Sequence, residues 1–272
     1  MSLRVVTVVK DDLPGLQRTK QSVHKQSIKV NWILVTPQDS STTYEYAHHL
    51  LETGIISAIL VDKGHGVYPA MNQAIDSAEK NDWLWFLNAG DEIANTDTYE
   101  HVSRTAQTTS HGWIYGGHYL GSSSGKILGE VKSPIKFLPA NQLFAKRYIS
   151  HQSTLFRASF LQELGGFRTD LKIASDWDLM VRAWTMDPGL RIPETLSIFY
   201  MGGLSTVSRQ VGNVELLSLR KTNLGRKYAL KSYWWFGYRW IRNKYVQSFE
   251  HNFPTLANRV RTIRLKIRSI GN

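Results

Sequence analysis

The most constraining stretch of the chain is residues 83–93, WLWFLNAGDEI. Its unbroken apolar run, rich in aromatics, reads as a strand buried on both faces of a sheet. Such a strand needs helices above and below it. Gly90 ends the run, because glycine accepts a sharp backbone turn that other residues resist. The acids Asp91 and Glu92 then fall just past the carboxyl end of a central strand, where open α/β sheets bind ligands. A carboxylate there can hold a hard divalent cation and, through it, a diphosphate. Asp91 would serve equally to cap a following helix, and the stretch alone leaves both readings open.

The flanking sequence supplies the helices. Residues 5–9, 32–36 and 55–61 read as strands, with helices at 16–26, 44–53 and 68–80 between them. This alternation predicts an α/β fold: a mixed, mostly parallel, Rossmann-like sheet flanked by helices. Beyond Asp91 the alternation weakens. Residues 98–108 read as helix, 112–119 and 125–132 as a hairpin, 151–156 as a strand, 158–165 and 176–186 as helices, and 196–201 as a strand. Residues 137–148 fit neither period.

The 272 residues suffice for one large α/β domain or two smaller ones. The absence of cysteine excludes disulfides and thiolate metal sites and fits a reducing compartment. Neither a leader peptide nor a membrane-spanning helix is expected, since no long apolar run occurs. The net charge of +11 is uneven: 14 Lys and Arg face 2 acids after residue 208, whereas 19 face 20 before it. A neutral body with a basic tail suggests an anionic partner for the tail, either membrane or nucleic acid. Trp234, Tyr238, Ile241 and Tyr245 share one helical stripe, and Val260, Ile263, Ile267 and Ile270 a second, edged by Arg261, Arg264 and Arg268. Such stripes suit a helix lying in a membrane interface, or helices packed on the body with solvated basic faces.

Further residues could carry chemistry. The turn Gly64-His65-Gly66-Val67-Tyr68 leads from strand to helix and can approach phosphate or sugar closely. His151-Gln152 opens the strand at 151–156, where functional and packing roles weigh about equally. Asp176-Trp177-Asp178 starts a helix, where acids are favoured by capping and dipole. One of the two could instead be a general base, a carboxylate that takes a proton from an attacking hydroxyl. Two apart, they cannot share a helix face, so at most one points into a site. Gly202-Gly203 could clamp a ligand by backbone amides or form an ordinary turn.

Taken in order, the segments VVTVVKDDLPGL, GVYPAMNQAI, WFLNAGDEI, HQSTLFR, GGFRTDLKIASDWDL and FYMGGLST resemble inverting, family 2 glycosyltransferases with the type-A fold. The resemblance is to enzymes of the colanic-acid type, which build bacterial surface polysaccharides, and covers residues 3–208. It implies a nucleotide-sugar-binding part at 1–118, an acceptor and catalytic-base part at 119–208, and a basic helical region at 209–272. It also implies a UDP- or GDP-sugar donor, a Mn2+ or Mg2+ ion on Asp91, and Asp176 as the catalytic base, with Asp178 structural. Donor contacts are implied at Val9, Asp11, Asp39, Asp62, His65, Gly66, Tyr68, Asn72, Asn88, Ala89 and Gly90. Acceptor contacts are implied at His151, Gln152, Gly202 and Gly203. The first acid of the family's Asp-x-Asp signature is absent from Asn88-Ala89-Gly90-Asp91. Asp-Gly-Gly-Ser is replaced by Thr36-Pro37-Gln38-Asp39, and Asp-Lys-Gly-Ile-Tyr by Gly64-His65-Gly66-Val67-Tyr68. The Gln-x-x-Arg-Trp signature of processive synthases is missing, which favours transfer of a single sugar. The implied setting is cytoplasmic, on the inner face of the plasma membrane, with a glycan or lipid-linked glycan acceptor and no nucleic acid. A nucleic-acid-binding protein and an inactive partner subunit are the alternatives.

Overall fold

The computed structural model describes residues 1–39, 41–134, 139–140, 149–201 and 209–225. The chain divides into two units, Met1–Leu219 and Arg220–Asn272, and the sheet lies wholly in the first. One half of the nine-stranded sheet is parallel and runs β3 (Ala58–Val61), β2 (Asn31–Thr36), β1 (Leu3–Val8), β4 (Trp83–Phe86). Helices α1 (Leu13–His24), α2 (Thr42–Glu52) and α3 (Val67–Asp76) make the crossovers. The chain winds outward through β2 and β3, then returns to the far side of β1. The winding therefore reverses between β1 and β4, the switch point at whose carboxyl ends open α/β sheets place their ligand crevice.

The other half continues from β4 through β8 (Thr154–Arg157) and β6 (Trp113–Gly121), both pairings antiparallel. β6 then pairs parallel with β9 (Leu190–Tyr200), and β9 antiparallel with β5 (Glu92–Ile93). β7 (Ile127–Val131) closes the expected hairpin on β6. The remaining helices are α4 (Thr98–Thr108), α5 (Ala158–Glu163), α6 (Ser175–Met186) and α7 (Arg209–Asn223). The expected class holds: a mixed α/β sheet flanked by helices.

The height of the turn after β4 is set by buried polar contacts. The Trp32 indole donates to the Thr7 hydroxyl (2.9 Å), which donates to the Leu87 carbonyl (2.6 Å). The Trp85 indole donates to the Gln152 carbonyl at 2.7 Å. Each such group would cost about 1–3 kcal/mol if left unmet, so β1, β2, β4 and the segment before β8 are locked in register. All four side chains of β4 are buried, as a central strand requires.

Three sequence expectations need correction. α1 starts at Leu13, not residue 16, because the Asp12 carboxylate accepts from the Gly15 N–H (2.9 Å) and Pro14 is tolerated in a first turn. β9 is 11 residues long and begins well before residue 196. Pro193 concealed it; the β6–β9 register slips between Tyr115 and Gly117, and such a slip absorbs a residue that cannot donate to the ladder. His151–Ser153 forms a 3-10 turn before β8 rather than opening the strand. Glu92–Ile93, placed from sequence only as lying past the strand end, forms a short strand of its own. Apart from 139–140, the stretch 137–148 lies outside the described residues, as do Gly202, Gly203 and both apolar stripes of the tail. Among the described residues no helix is long and apolar enough to cross a membrane.

Candidate active site

The crevice floor is the turn that follows β4. Gly90 adopts φ 95°, a left-handed conformation suited to glycine. Its N–H donates to the Gly15 carbonyl at 3.0 Å, and the Asp91 N–H donates to the Asn88 carbonyl at 3.0 Å. The Thr19 hydroxyl donates to the Asp91 carbonyl at 2.8 Å. Helix α1 thus holds the turn through Gly15 and Thr19. Neither residue was singled out from sequence; a helix threonine carries no local sign of what it will touch across 72 positions.

Asp91 is buried, with 6% exposure. Burial pushes its carboxyl up to about 7, against the opposing pull of His151, the Tyr200 N–H, the Gln152 side chain and the Arg18 guanidinium. The Tyr200 N–H stands 3.4 Å from its Oδ1, and Arg18 lies 4.7 Å from the Tyr200 ring centre. Asn88 on the same turn has a buried Oδ1 with no hydrogen-bond partner. Such an orphaned acceptor asks for an explanation. Asn88 and Asp91 together offer hard oxygen donors that fit a divalent cation whose other positions are filled by diphosphate oxygens and water. Among the described residues no cluster of three His, Asp or Glu groups forms a closed metal cage.

Asp176 sits in the first turn of α6. Its Oδ2 is 3.0 Å from His151 Nδ1, and its Oδ1 accepts from the Trp177 N–H at 2.7 Å. The Tyr68 hydroxyl lies 3.5 Å from the same Oδ1 and donates to the Ile173 carbonyl at 2.6 Å. Burial, followed by the charge of Asp176, holds the Tyr68 phenol protonated far above its ordinary range, so it keeps its proton to donate while its oxygen accepts from the Asp176 and Ser175 N–H groups. The far side of the imidazole, Nε2, lies 3.4 Å from Asn88 Nδ2. One tautomer satisfies both contacts: Nδ1–H donates to the Asp176 carboxylate and Nε2 accepts from the Asn88 amide. His151 therefore bridges the turn after β4 and the start of α6, between residues 88 apart in sequence. The side chains of His151 and Asp176 keep 11% and 15% of their surface exposed, enough to reach a ligand in the crevice.

The other sequence candidates have these surroundings. Asp178 is 2% exposed and pairs with Arg182 (2.7 Å) and Arg168 (3.8 Å), so it serves the fold. Asn72 is spent on the turn before α6: its Oδ1 accepts from the Phe167 N–H (2.9 Å) and its Nδ2 donates to the Phe167 carbonyl (2.8 Å). Asn72→Leu should therefore cost about 1–3 kcal/mol in denaturant unfolding, with nucleotide affinity unchanged by calorimetry. Gln152 is buried, accepting from the Ser150 hydroxyl. Val9 is buried, with its N–H on the Val35 carbonyl. Asp11 is exposed after β1 with φ 51°, a left-handed value that costs energy for a residue with a side chain. Ala89 is half-buried beside Asn88. Asp39 accepts from the Ser41 N–H and Asp62 from the Gly64 N–H, at the ends of β2 and β3. His65 is exposed, and Gly66 opens α3.

No family model matches the chain. It is 28% identical to an uncharacterised glycosyltransferase of Mycobacterium tuberculosis over 254 residues, 92% of this chain and 91% of that protein. A PGL/p-HBAD biosynthesis glycosyltransferase of Mycobacterium bovis is 27% identical over 125 residues, 46% of each chain. S. aureus TarS, solved with UDP-GlcNAc, superposes with a TM-score of 0.62 at 13% identity, over 82% of this chain and 65% of that one. The mannosyltransferase PcManGT from Pyrobaculum calidifontis, solved with GDP-Man and Mn2+, gives 0.56 at 15% identity, over 81% and 63%. The chain thus spans less than two thirds of those two solved chains. It carries the type-A glycosyltransferase fold and is similar in sequence to mycobacterial glycosyltransferases.

Proposed function

We propose that the chain is an inverting, metal-dependent glycosyltransferase that moves one sugar from a UDP- or GDP-sugar to a glycan acceptor. The observation that carries this reading is the meeting of Asp176 and the Asn88–Asp91 turn on a single imidazole. In this reading Asp91 and the Asn88 oxygen hold Mn2+ or Mg2+ against the donor diphosphate. The cation supplies charge neutralisation for the departing nucleoside diphosphate, worth several kcal/mol. Asp176 takes the proton from the acceptor hydroxyl as that oxygen attacks the anomeric carbon from the face opposite the leaving group. His151 and Tyr68 keep the carboxylate aimed. The family 2, colanic-acid-type resemblance supports a role in bacterial surface polysaccharide synthesis. The basic aromatic tail supports a lipid-linked acceptor met at an anionic membrane face, with no part for nucleic acid.

Thermal unfolding in the presence of UDP, GDP, ADP, CDP or dTDP, each with and without Mn2+, tests the donor class. One nucleotide should raise the midpoint, and by more when Mn2+ is present. Equal midpoints throughout would remove the nucleotide-sugar reading.

A further inference from the structure

We infer that Glu215, on α7, is a positioning residue for Asp176. This rests on Asp176 being the base. Residues 172–174 lead directly into α6, and their three consecutive N–H groups all point at one carboxylate. Glu215 Oε1 accepts from the Lys172 N–H at 2.8 Å, and Oε2 accepts from the Ile173 and Ala174 N–H groups, both at 2.9 Å. Successive amides converging on a negative charge form the kind of nest that elsewhere grips a free anion, and hydrogen bonds to an ionised acceptor are the strong ones. Here the chain fills the nest with its own side chain.

The segment is gripped from the other side as well, since the Tyr68 hydroxyl donates to the Ile173 carbonyl at 2.6 Å. The Ala174 carbonyl in turn accepts the Asp178 N–H at 3.1 Å, which begins the first turn of α6. α7 comes close because Gly212 has no side chain: a Cβ there would lie 2.9 Å from Ile173 Cγ2. Tyr68 from α3 and Glu215 from α7 thus clamp a three-residue segment that ends two residues before Asp176. With the clamp intact, the Asp176 carboxylate meets His151 at 3.0 Å. With the carboxylate of residue 215 gone, three donors lose their acceptor, and the start of α6 is free to shift. A displacement near 1 Å at a reacting group costs about 10²-fold in rate. α7 is then part of the active centre, although in sequence it opens the basic C-terminal region.

The test uses Glu215→Gln, Glu215→Ala, Asp176→Asn and the Glu215→Ala/Asp176→Asn double variant of the full chain. Ring-nitrogen NMR shifts of His151 report its tautomer without any ligand. Wild type should show the Nδ1–H form. Both Glu215 variants should move toward the Asp176→Asn spectrum, and the double variant should match Asp176→Asn, because coupling through one contact is not additive. Release of nucleoside diphosphate from UDP-GlcNAc or GDP-mannose should fall about tenfold or more in Glu215→Ala, with nucleotide affinity unchanged. A merely structural glutamate would lower stability and leave the His151 resonances where they are. A folded Glu215→Gln with the wild-type His151 spectrum therefore overturns the inference, and that variant decides the matter if Glu215→Ala fails to fold. If Asp176→Asn turns donor over at the wild-type rate while Glu215→Gln still displaces the His151 signals, the base assignment alone falls.

Discussion

Asp176→Asn should lower sugar transfer by about 10²- to 10⁴-fold, the usual worth of a positioned general base. The substitution is nearly isosteric. The amide oxygen can still accept from the Trp177 N–H, which now bonds Asp176 Oδ1 at 2.7 Å. What is lost is the site that receives the acceptor's proton. Donor affinity should stay at the wild-type value, because the proposed site for the donor diphosphate is Asn88 and Asp91 rather than Asp176. Initial rates at saturating donor, paired with calorimetric donor affinity, separate the two effects. A wild-type rate would remove Asp176 from the mechanism, and an equal loss in affinity and rate would make it a binding residue.

Asp91→Asn should abolish the Mn2+-dependent part of donor binding while leaving a weaker, metal-independent part. A neutral amide keeps an acceptor for the Tyr200 N–H, which stands 3.4 Å from Asp91 Oδ1, but it presents no charge to a cation. The wild-type effect should also depend on pH. Burial holds the Asp91 carboxyl up to about 7, so below that value protons compete with the cation for it. Mn2+-dependent affinity should therefore rise as pH is raised through 7, and the rise should vanish in Asp91→Asn. Titrations between pH 6 and 8 in both proteins measure it. Identical Mn2+ dependence in the two would take the cation away from Asp91.

Much of the parallel half of the fold was legible because its signals are local. The run at Trp83–Phe86 is apolar throughout, and β1 and β2 are β-branched and bounded by turns. β9 was half hidden, because Pro193 marks a break in most strands and only the slipped pairing with β6 accommodates it. In the site, Asp91 and Asp176 stood out as acids beside a strand end and a helix start. His151 was visible as an implied acceptor contact but not as a bridge; its two contacts join elements that the sequence keeps far apart. Asn72 and Gln152 were legible as implied ligand contacts but not for the contacts they make in the fold. Asn72 bonds Phe167, 95 residues away, while Gln152 accepts from Ser150, two residues back, and its side chain also acts on Asp91. Glu215 fell in a stretch read for its basic charge, so an acid bonding three amides 41–43 residues earlier went unnoticed.

On the proposed function Asp91 and Asp176 serve one site, with His151 between them. A crystal structure of the protein with its nucleoside diphosphate and Mn2+ tests that most directly. That complex should show a cation about 2.1 Å from an Asp91 oxygen, a diphosphate on that cation, and the Asp176 carboxylate facing the space where the sugar would extend. A cation bound away from Asp91, or a nucleotide whose diphosphate points away from Asp176, would contradict it.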